Sequence, residues 1–234
     1  MLHHAHSLLS KPAILENLGK GIIIEPFVRS QLKTCSYDVR LGSQYYRRRG
    51  PNDTGDLLFN PYNPEMVRRH YGQAQIARLA GKAAQYNPES EVWRNIKPKH
   101  RVIIMQPGEM ILGHTVEFIG GTKDPETGRC FTAEMKARSS PGRIGFEVCR
   151  CAGWGDVGYV NRWTMEIVCT SPVPVILVVG TRLAQFKFYE VDTVEDVDLY
   201  GRSSERDHYQ SGIDIEEIKR NWRPEMLLPR LTTD

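Results

Sequence analysis

The sequence predicts a mainly β protein, a sandwich or barrel of antiparallel strands with a short N-terminal helix and a helical insertion. Three observations predict it. Eight short apolar runs follow Pro98, glycines and prolines punctuate them, and the composition shifts between about residues 47 and 98 toward proline, asparagine, alanine and arginine.

In chain order, Ser10 followed by Pro12 sets up a helix start, Ile14, Leu15 and Leu18 share a face, and Gly19 and Gly21 stop the helix. Ile22 to Ile24 reads as a short run closed by Pro26. In Ser36-Tyr37-Asp38-Val39-Arg40-Leu41-Gly42, Tyr37, Val39 and Leu41 alternate with polar residues, which is strand periodicity. Between Arg47 and Pro98, prolines and asparagines bracket Glu65 to Ala84, whose alanines and arginines favour a helix. This segment reads as an insertion: a surface excursion without chemistry, or an oligomer contact or lid. The β pattern then takes over in Val102 to Met105, Met110 to Leu112, Val116 to Ile119, Phe131 to Met135, Ile144 to Val148, Trp163 to Val168, Val173 to Val179 and Leu183 to Tyr189. From Asp196 the chain is polar and charged until Ile213, Ile215 and Ile218, which are spaced for one short helix in a tail that packs elsewhere or moves.

A chain of 234 residues, 40% of them hydrophobic, can bury one sizeable core, or one core and a smaller appendage. The 31 basic and 28 acidic residues leave a net charge of +3. That balance argues against a nucleic-acid partner or a polybasic membrane contact and leaves a small anionic substrate open. No apolar run approaches the roughly 20 residues of a membrane helix, and the N-terminus lacks the charged-then-apolar order of a signal peptide, so the expectation is a soluble, cytoplasmic protein. Cys35, Cys130, Cys149, Cys151 and Cys169 make an odd number without a paired framework, as expected of reduced thiols. The histidines within Met1 to His6 read as incidental to a frayed terminus, with metal capture as the alternative.

Two clusters could carry chemistry. In Lys136-Ala137-Arg138-Ser139-Ser140-Pro141-Gly142-Arg143, hydroxyls flanked by cations follow a strand end; forked arginine donors, serine hydroxyls and backbone N–H groups suit phosphate oxygens, and an ordinary Ser-Pro-Gly turn with solvated arginines is the other reading. The second runs from Cys151-Ala152-Gly153-Trp154-Gly155-Asp156-Val157-Gly158-Tyr159 into Arg162-Trp163-Thr164-Met165-Glu166-Ile167. Glu166 shares a face with Thr164 and Val168, opposite Met165 and Ile167. It either faces solvent or lies in a low-dielectric pocket, where a raised pKa would let it shuttle protons near neutrality.

The order Arg-Ser-Ser-x-x-Arg-x-Gly, Ala-Gly-Trp-x-Asp-x-Gly-Tyr, Thr-Met-Glu closely resembles the motif series of the dCTP deaminase and trimeric dUTPase superfamily. Ser36 to Gly42, Pro107-Gly108-Glu109 with Leu112 to Thr115, and Gly180 to Phe186 with Gln185 resemble further segments of that family, so the likeness spans most of the chain outside the insertion and the last twenty or so residues. It implies a distorted jelly-roll, dUTPase-like single domain over residues 1–234, with about 47–98 as insertion and about 196–234 as a C-terminal tail or lid. It also implies a homotrimer with active sites between neighbouring subunits.

By position, the resemblance makes Glu166 the general acid/base of dCTP deamination. Ser139, Arg143 and the backbone at Ala152 would position the water, Arg138 and Ser140 would hold phosphates, Asp156 would meet the 3′-hydroxyl, and Tyr159 would pack on the deoxyribose and exclude a 2′-hydroxyl. Gln185, Tyr200, His208, Tyr209 and Gln210 match the family's remaining substrate-binding stretches, although His208 stands where the family has lysine and its later proline is missing. Zinc deaminases carry His-x-Glu and Pro-Cys-x-x-Cys. Cys149-Arg150-Cys151 has another spacing and no His-x-Glu occurs, so no catalytic zinc or other protein-bound metal is expected, and Mg2+ is expected only with the triphosphate. The main expectation is dCTP deamination to dUTP. Ala152-Gly153-Trp154 also resembles bifunctional members that carry dUTP on to dUMP, while a pure dUTPase and a non-catalytic nucleotide-binding regulator are the alternatives; dTTP feedback is a family expectation.

Overall fold

The computed structural model describes residues 7–150, 152–203, 207–210 and 212–232; the Met1 to His6 cluster and Cys151 lie outside the described residues. Pro12 stands in the first turn of α1 (Lys11–Glu16), which buries Ile14, and Gly19, at φ +81°, turns the chain toward β1 (Ile22–Glu25). The Tyr37/Val39 alternation becomes β2 (Tyr37–Arg40), followed by β3 (Gln44–Arg47) and α2 (Pro51–Thr54). Asn63 caps α3 (Pro64–Tyr71) by accepting from the N–H groups of Glu65 and Met66.

The helix expected over Glu65 to Ala84 therefore ends early, at Gly72 with φ +64°. Beyond it lie β4 (Gln75–Ile76) and β5 (Arg78–Leu79). Ala77 and Ala80 are fully buried, so these alanines serve as small side chains among strands, and packing overrides helix propensity.

All eight apolar runs contain strands: β6 (Arg101–Met105), β7 (Met110–His114), β8 (Phe118–Gly121), β9 (Cys130–Ala137), then, after α4 (Ser139–Arg143), β10 (Phe146–Val148). After the two-residue strands β11 (Trp154–Gly155) and β12 (Val160–Asn161) come β13 (Thr164–Cys169), β14 (Val175–Val178) and β15 (Arg182–Val191). The expected tail helix is α5 (Ile215–Asn221), capped by Asp214.

The strands pair antiparallel in four sheets, ordered β1-β8-β12, β10-β13-β7-β3-β4, β11-β9-β15-β2 and β14-β6-β5. The fold is thus mainly β, as the run spacing predicts. One apolar core fills the interior, where Val39, Ile111, Met135, Met165, Ile167 and Phe186 meet. A second cluster joins the 47–98 segment to the tail: Tyr46, Val67 and Tyr71 pack with Leu112, Phe118, Trp222 and Leu227. Among the described residues, no helix is long and apolar enough to cross a membrane.

Candidate active site

Glu166 sits in β13 directly opposite Leu112 of β7, with Met165 and Ile167 turned into the main core. The alternation leaves Glu166 on the other face. That face is partly covered by Tyr71 from α3 and by Leu227 and Tyr209 from the tail, which with the carboxyl line an open cavity of about 240 Å3. Between the solvent-facing and low-dielectric readings of Glu166, the structure has the second. Its Oε2 is buried without a hydrogen-bond partner among the described residues. Desolvation by these apolar walls raises its pKa above the ordinary carboxylate value, partly offset by a hydrogen bond from its own backbone.

Tyr159 comes from the turn between β11 and β12, where Gly158 adopts φ +102° and any Cβ would strike the backbone of Tyr200. Its ring packs edge-on against Trp163 at 4.9 Å and Tyr200 at 5.0 Å. Burial pushes the Tyr159 phenol up, and the nearby phenols of Tyr200 and Tyr209 and the charge of Glu166 push it the same way. The tail is tied to this turn. The Tyr209 N–H donates to the Tyr200 hydroxyl at 3.2 Å, and Asn161 Nδ2 donates to the Tyr209 carbonyl at 3.1 Å. The buried Gln210 amide accepts from Val160 N at 2.9 Å and donates to the carbonyls of Gly158 and Gly212. His208 offers its carbonyl to Arg230 at 2.7 Å. Glu166, Tyr159, Tyr200, Tyr209 and Gln210 are thus brought into one neighbourhood.

Asp156 adjoins this neighbourhood: its carbonyl accepts from Tyr159 N at 3.0 Å and its charge acts on the Tyr200 phenol. Arg138, Ser139, Ser140, Arg143 and Gln185 have no described hydrogen bond or ion pair with the residues gathered there. Arg138 caps the end of β9 and pairs through Nε with Asp38 Oδ1 at 3.1 Å. Ser139, Ser140 and Arg143 are exposed on α4, which takes the place of the simple turn expected there, and they make no described hydrogen bond or ion pair with Glu166. Gln185 is half-buried opposite Lys136 and Asp38; Asp156 and Ala152 are exposed, and the Ala152 N–H donates to the Cys149 carbonyl at 2.7 Å.

Sequence reasoning missed four contributors. Asp38 is buried and holds Arg138, Arg182 and, at 3.8 Å, Lys33, so it orients the first arginine of the Arg-Ser-Ser motif. Its place at the centre of Ser-Tyr-Asp-Val-Arg was the available signal. Tyr71, from the supposed excursion, walls the Glu166 cavity; nothing local could reveal that. Cys149 and Arg150 adopt φ +62° and +33° in the link to Ala152, a backbone state that non-glycine residues hold at the expense of strain and that clusters at functional sites. Among the described residues no three His, Cys, Asp or Glu side chains gather as a metal-binding set.

The chain, which sets a desolvated carboxyl on an antiparallel β fold, belongs to the dCTP deaminase-like family, whose model matches residues 8–191. Among its relatives, the "dCTP deaminase, dUMP-forming" of Clostridium botulinum (strain Alaska E43 / Type E3) is 26% identical over 82% of this chain and 87% of that protein. The protein of the same name from Nanoarchaeum equitans (strain Kin4-M) is 28% identical over 75% and 80%. A structural likeness to the 2'-deoxycytidine 5'-triphosphate deaminase of Agrobacterium tumefaciens has a TM-score of 0.49 at 16% identity, covering 80% of this chain and 49% of that one.

Proposed function

We propose that the protein deaminates dCTP and carries the product on to dUMP, with Glu166 as general acid/base. The observation that carries the reading is the Glu166 carboxyl, desolvated and with an oxygen lacking any internal partner, on the wall of a cavity. A carboxylate so placed accepts a proton from water as the water oxygen bonds to C4 of cytosine, and delivers it to N3. The tetrahedral intermediate then collapses. Glu166 relays the hydroxyl proton to the amino nitrogen, the C4–N bond breaks, and uracil and ammonia result.

The dUMP-forming outcome is favoured over release of dUTP by the chain's relatives, which are dUMP-forming dCTP deaminases by name. In this reading the water is positioned by Ser139, Arg143 and the Ala152 backbone, and phosphates are held by Arg138 and Ser140. Asp156 and Tyr159 take the sugar, while Gln185, Tyr200, His208, Tyr209 and Gln210 shape or close the site. The reading takes the protein as a homotrimer in which the exposed Ser139–Arg143 segment of one subunit faces the Glu166 of a neighbour. Mg2+ enters with the triphosphate, held by phosphate oxygens and neutralising their charge.

The test is incubation of purified protein with dCTP and, separately, dUTP, with nucleotides resolved by chromatography and ammonia assayed. dUMP and ammonia from dCTP support the reading. dUTP and ammonia would restrict it to deamination, dUMP from dUTP alone would make the protein a dUTPase, and binding without turnover would make it a regulator.

A further inference from the structure

Arg182 and Gln185 stand three residues apart at the start of β15, a separation that puts side chains on opposite faces of a regular strand. The register shifts between Arg182 and Ala184, as at a β-bulge, so Leu183 and Ala184 both enter the main core while Arg182 and Gln185 share the other face. There Gln185 lies across from Asp38 of β2 and Lys136 of β9. Asp38 is 1% exposed; its Oδ1 pairs with Arg138 Nε at 3.1 Å and its Oδ2 with Arg182 Nη1 at 3.3 Å, while Arg138 Nη1 donates to the Arg182 carbonyl at 3.2 Å. Lys33 Nζ stands 3.8 Å from the same Oδ2. One guanidinium is enough to neutralise a single carboxylate, yet here three cations share it. The acids of the adjoining strands are engaged elsewhere, Glu134 with Lys136 at 2.9 Å and Lys187 at 3.2 Å, and Glu190 with Arg129 at 2.7 Å. The Arg182 side chain is 40% exposed, and its Nε and Nη2 make no hydrogen bond among the described residues.

We propose that Arg182 is a further substrate-binding residue, a second guanidinium arm beside Arg138 that takes phosphate oxygens of the nucleotide, with Asp38 fixing the spacing of the two. The proposal rests on the reading in which Arg138 holds phosphates. Asp38 engages one nitrogen of Arg182, and the remaining Nε and Nη2 form one edge of the guanidinium, an intact fork matched to phosphate. Two like charges held side by side repel, and a polyanion bound across both relieves the repulsion. The bulge is what makes this possible: without it Arg182 would leave the face that Arg138 and Gln185 share.

The experiment is calorimetric titration of the full chain with inorganic tripolyphosphate, alongside dCTP kinetics and thermal melts. It compares wild type with Arg182→Ala, Arg182→Lys, Arg138→Ala and the double variant Arg138→Ala/Arg182→Ala, and with Arg94→Ala, which removes an exposed charge outside the cluster, as control. The proposal predicts that Arg182→Ala loses roughly tenfold to hundredfold in tripolyphosphate affinity, the scale of a charge-assisted hydrogen-bonded fork, while the control is unchanged. KM for dCTP rises by a similar factor with kcat little altered. Arg182→Lys keeps a cation on Asp38 but not the fork, so it melts with wild type and loses part of the affinity. Adding Arg182→Ala to Arg138→Ala costs a further several-fold, because the two arms touch phosphate separately. No further loss in that background would reduce Arg182 to a support for Arg138. Equal tripolyphosphate affinity in wild type and both Arg182 variants, or no binding by wild type, would remove it from the phosphates, and each of these results overturns the proposal. Arg182-dependent tripolyphosphate binding by a protein that converts no cytosine nucleotide would instead sink the deaminase reading and spare the anion site.

Discussion

Glu166→Gln keeps the size of the side chain and removes its proton, so it separates catalysis from folding. In the native protein the carboxyl is desolvated by Tyr71, Leu112 and Leu227, and one oxygen has no partner. Its pKa is therefore raised on folding, from the ordinary value of about 4.3. Between that unfolded value and the higher folded one, the native state binds more protons than the unfolded state. Stability contributed by the protonated form is consequently lost as pH rises through this window. A buried unsatisfied polar group costs about 1–3 kcal/mol, with charged groups at the upper end. Replacing the carboxylate by a neutral amide should then stabilise the protein by on the order of 1 kcal/mol near neutral pH, about 2–4 °C in Tm for a chain of this size. Toward pH 3, more than about one unit below the ordinary glutamate value, wild-type Glu166 is protonated in both states and the difference should vanish. Deamination should fall by about 10²-fold or more while nucleotide binding survives. The assay is ammonia release together with thermal melts at both pH values. Unchanged turnover, or a neutral-pH Tm below wild type by the same margin as at low pH, would refute the reasoning.

Three further outcomes follow from the same geometry. The acid limb of kcat should lie above the ordinary glutamate value of about 4.3, because the base must be ionised; activity undiminished down to that pH would contradict the desolvation of Glu166. Tyr159→Ala should erode the preference for dCTP over CTP by about tenfold or more, read as the ratio of kcat/KM values, and an unaltered ratio would remove Tyr159 from the sugar. Gln210→Ala, which strips partners from Val160 N and from the Gly158 and Gly212 carbonyls, should cost about 1–3 kcal/mol and speed proteolysis within the 196–232 tail; a cleavage pattern like that of wild type would show the tail to be held by other contacts.

The β framework was legible because burial repeats with the strand period. Tyr37 and Val39, or Met165 and Ile167, enter one core through side chains alone. The motif residues were legible as a series, although their roles came from resemblance. What could not be read was the covering of the β7–β13 face. Glu166 has the pattern of an outward residue, and only the distant tail and α3 make its surroundings apolar. Likewise Glu65 to Ala84 has helix-favouring composition throughout, but Gly72 and the pairing of β4 with β3 and of β5 with β6 divide it. Asp38 follows the same logic in reverse. It lies at a polar position of an alternating strand, yet it is buried under Arg138 and Arg182 because those arginines come from the junction of β9 with α4 and from β15. Local periodicity assigns faces; the long-range cover of a face decides dielectric, and with it chemistry.

A crystal structure of the protein with an unreactive dCTP analogue tests the central claim most directly. The account predicts the pyrimidine beside Glu166, with the carboxylate in hydrogen-bond reach of N3 and of the water facing C4, and the Ser139–Arg143 turn of a neighbouring subunit closing the same cleft. A Glu166 side chain directed into bulk solvent, remote from the pyrimidine and from every such turn, would contradict it.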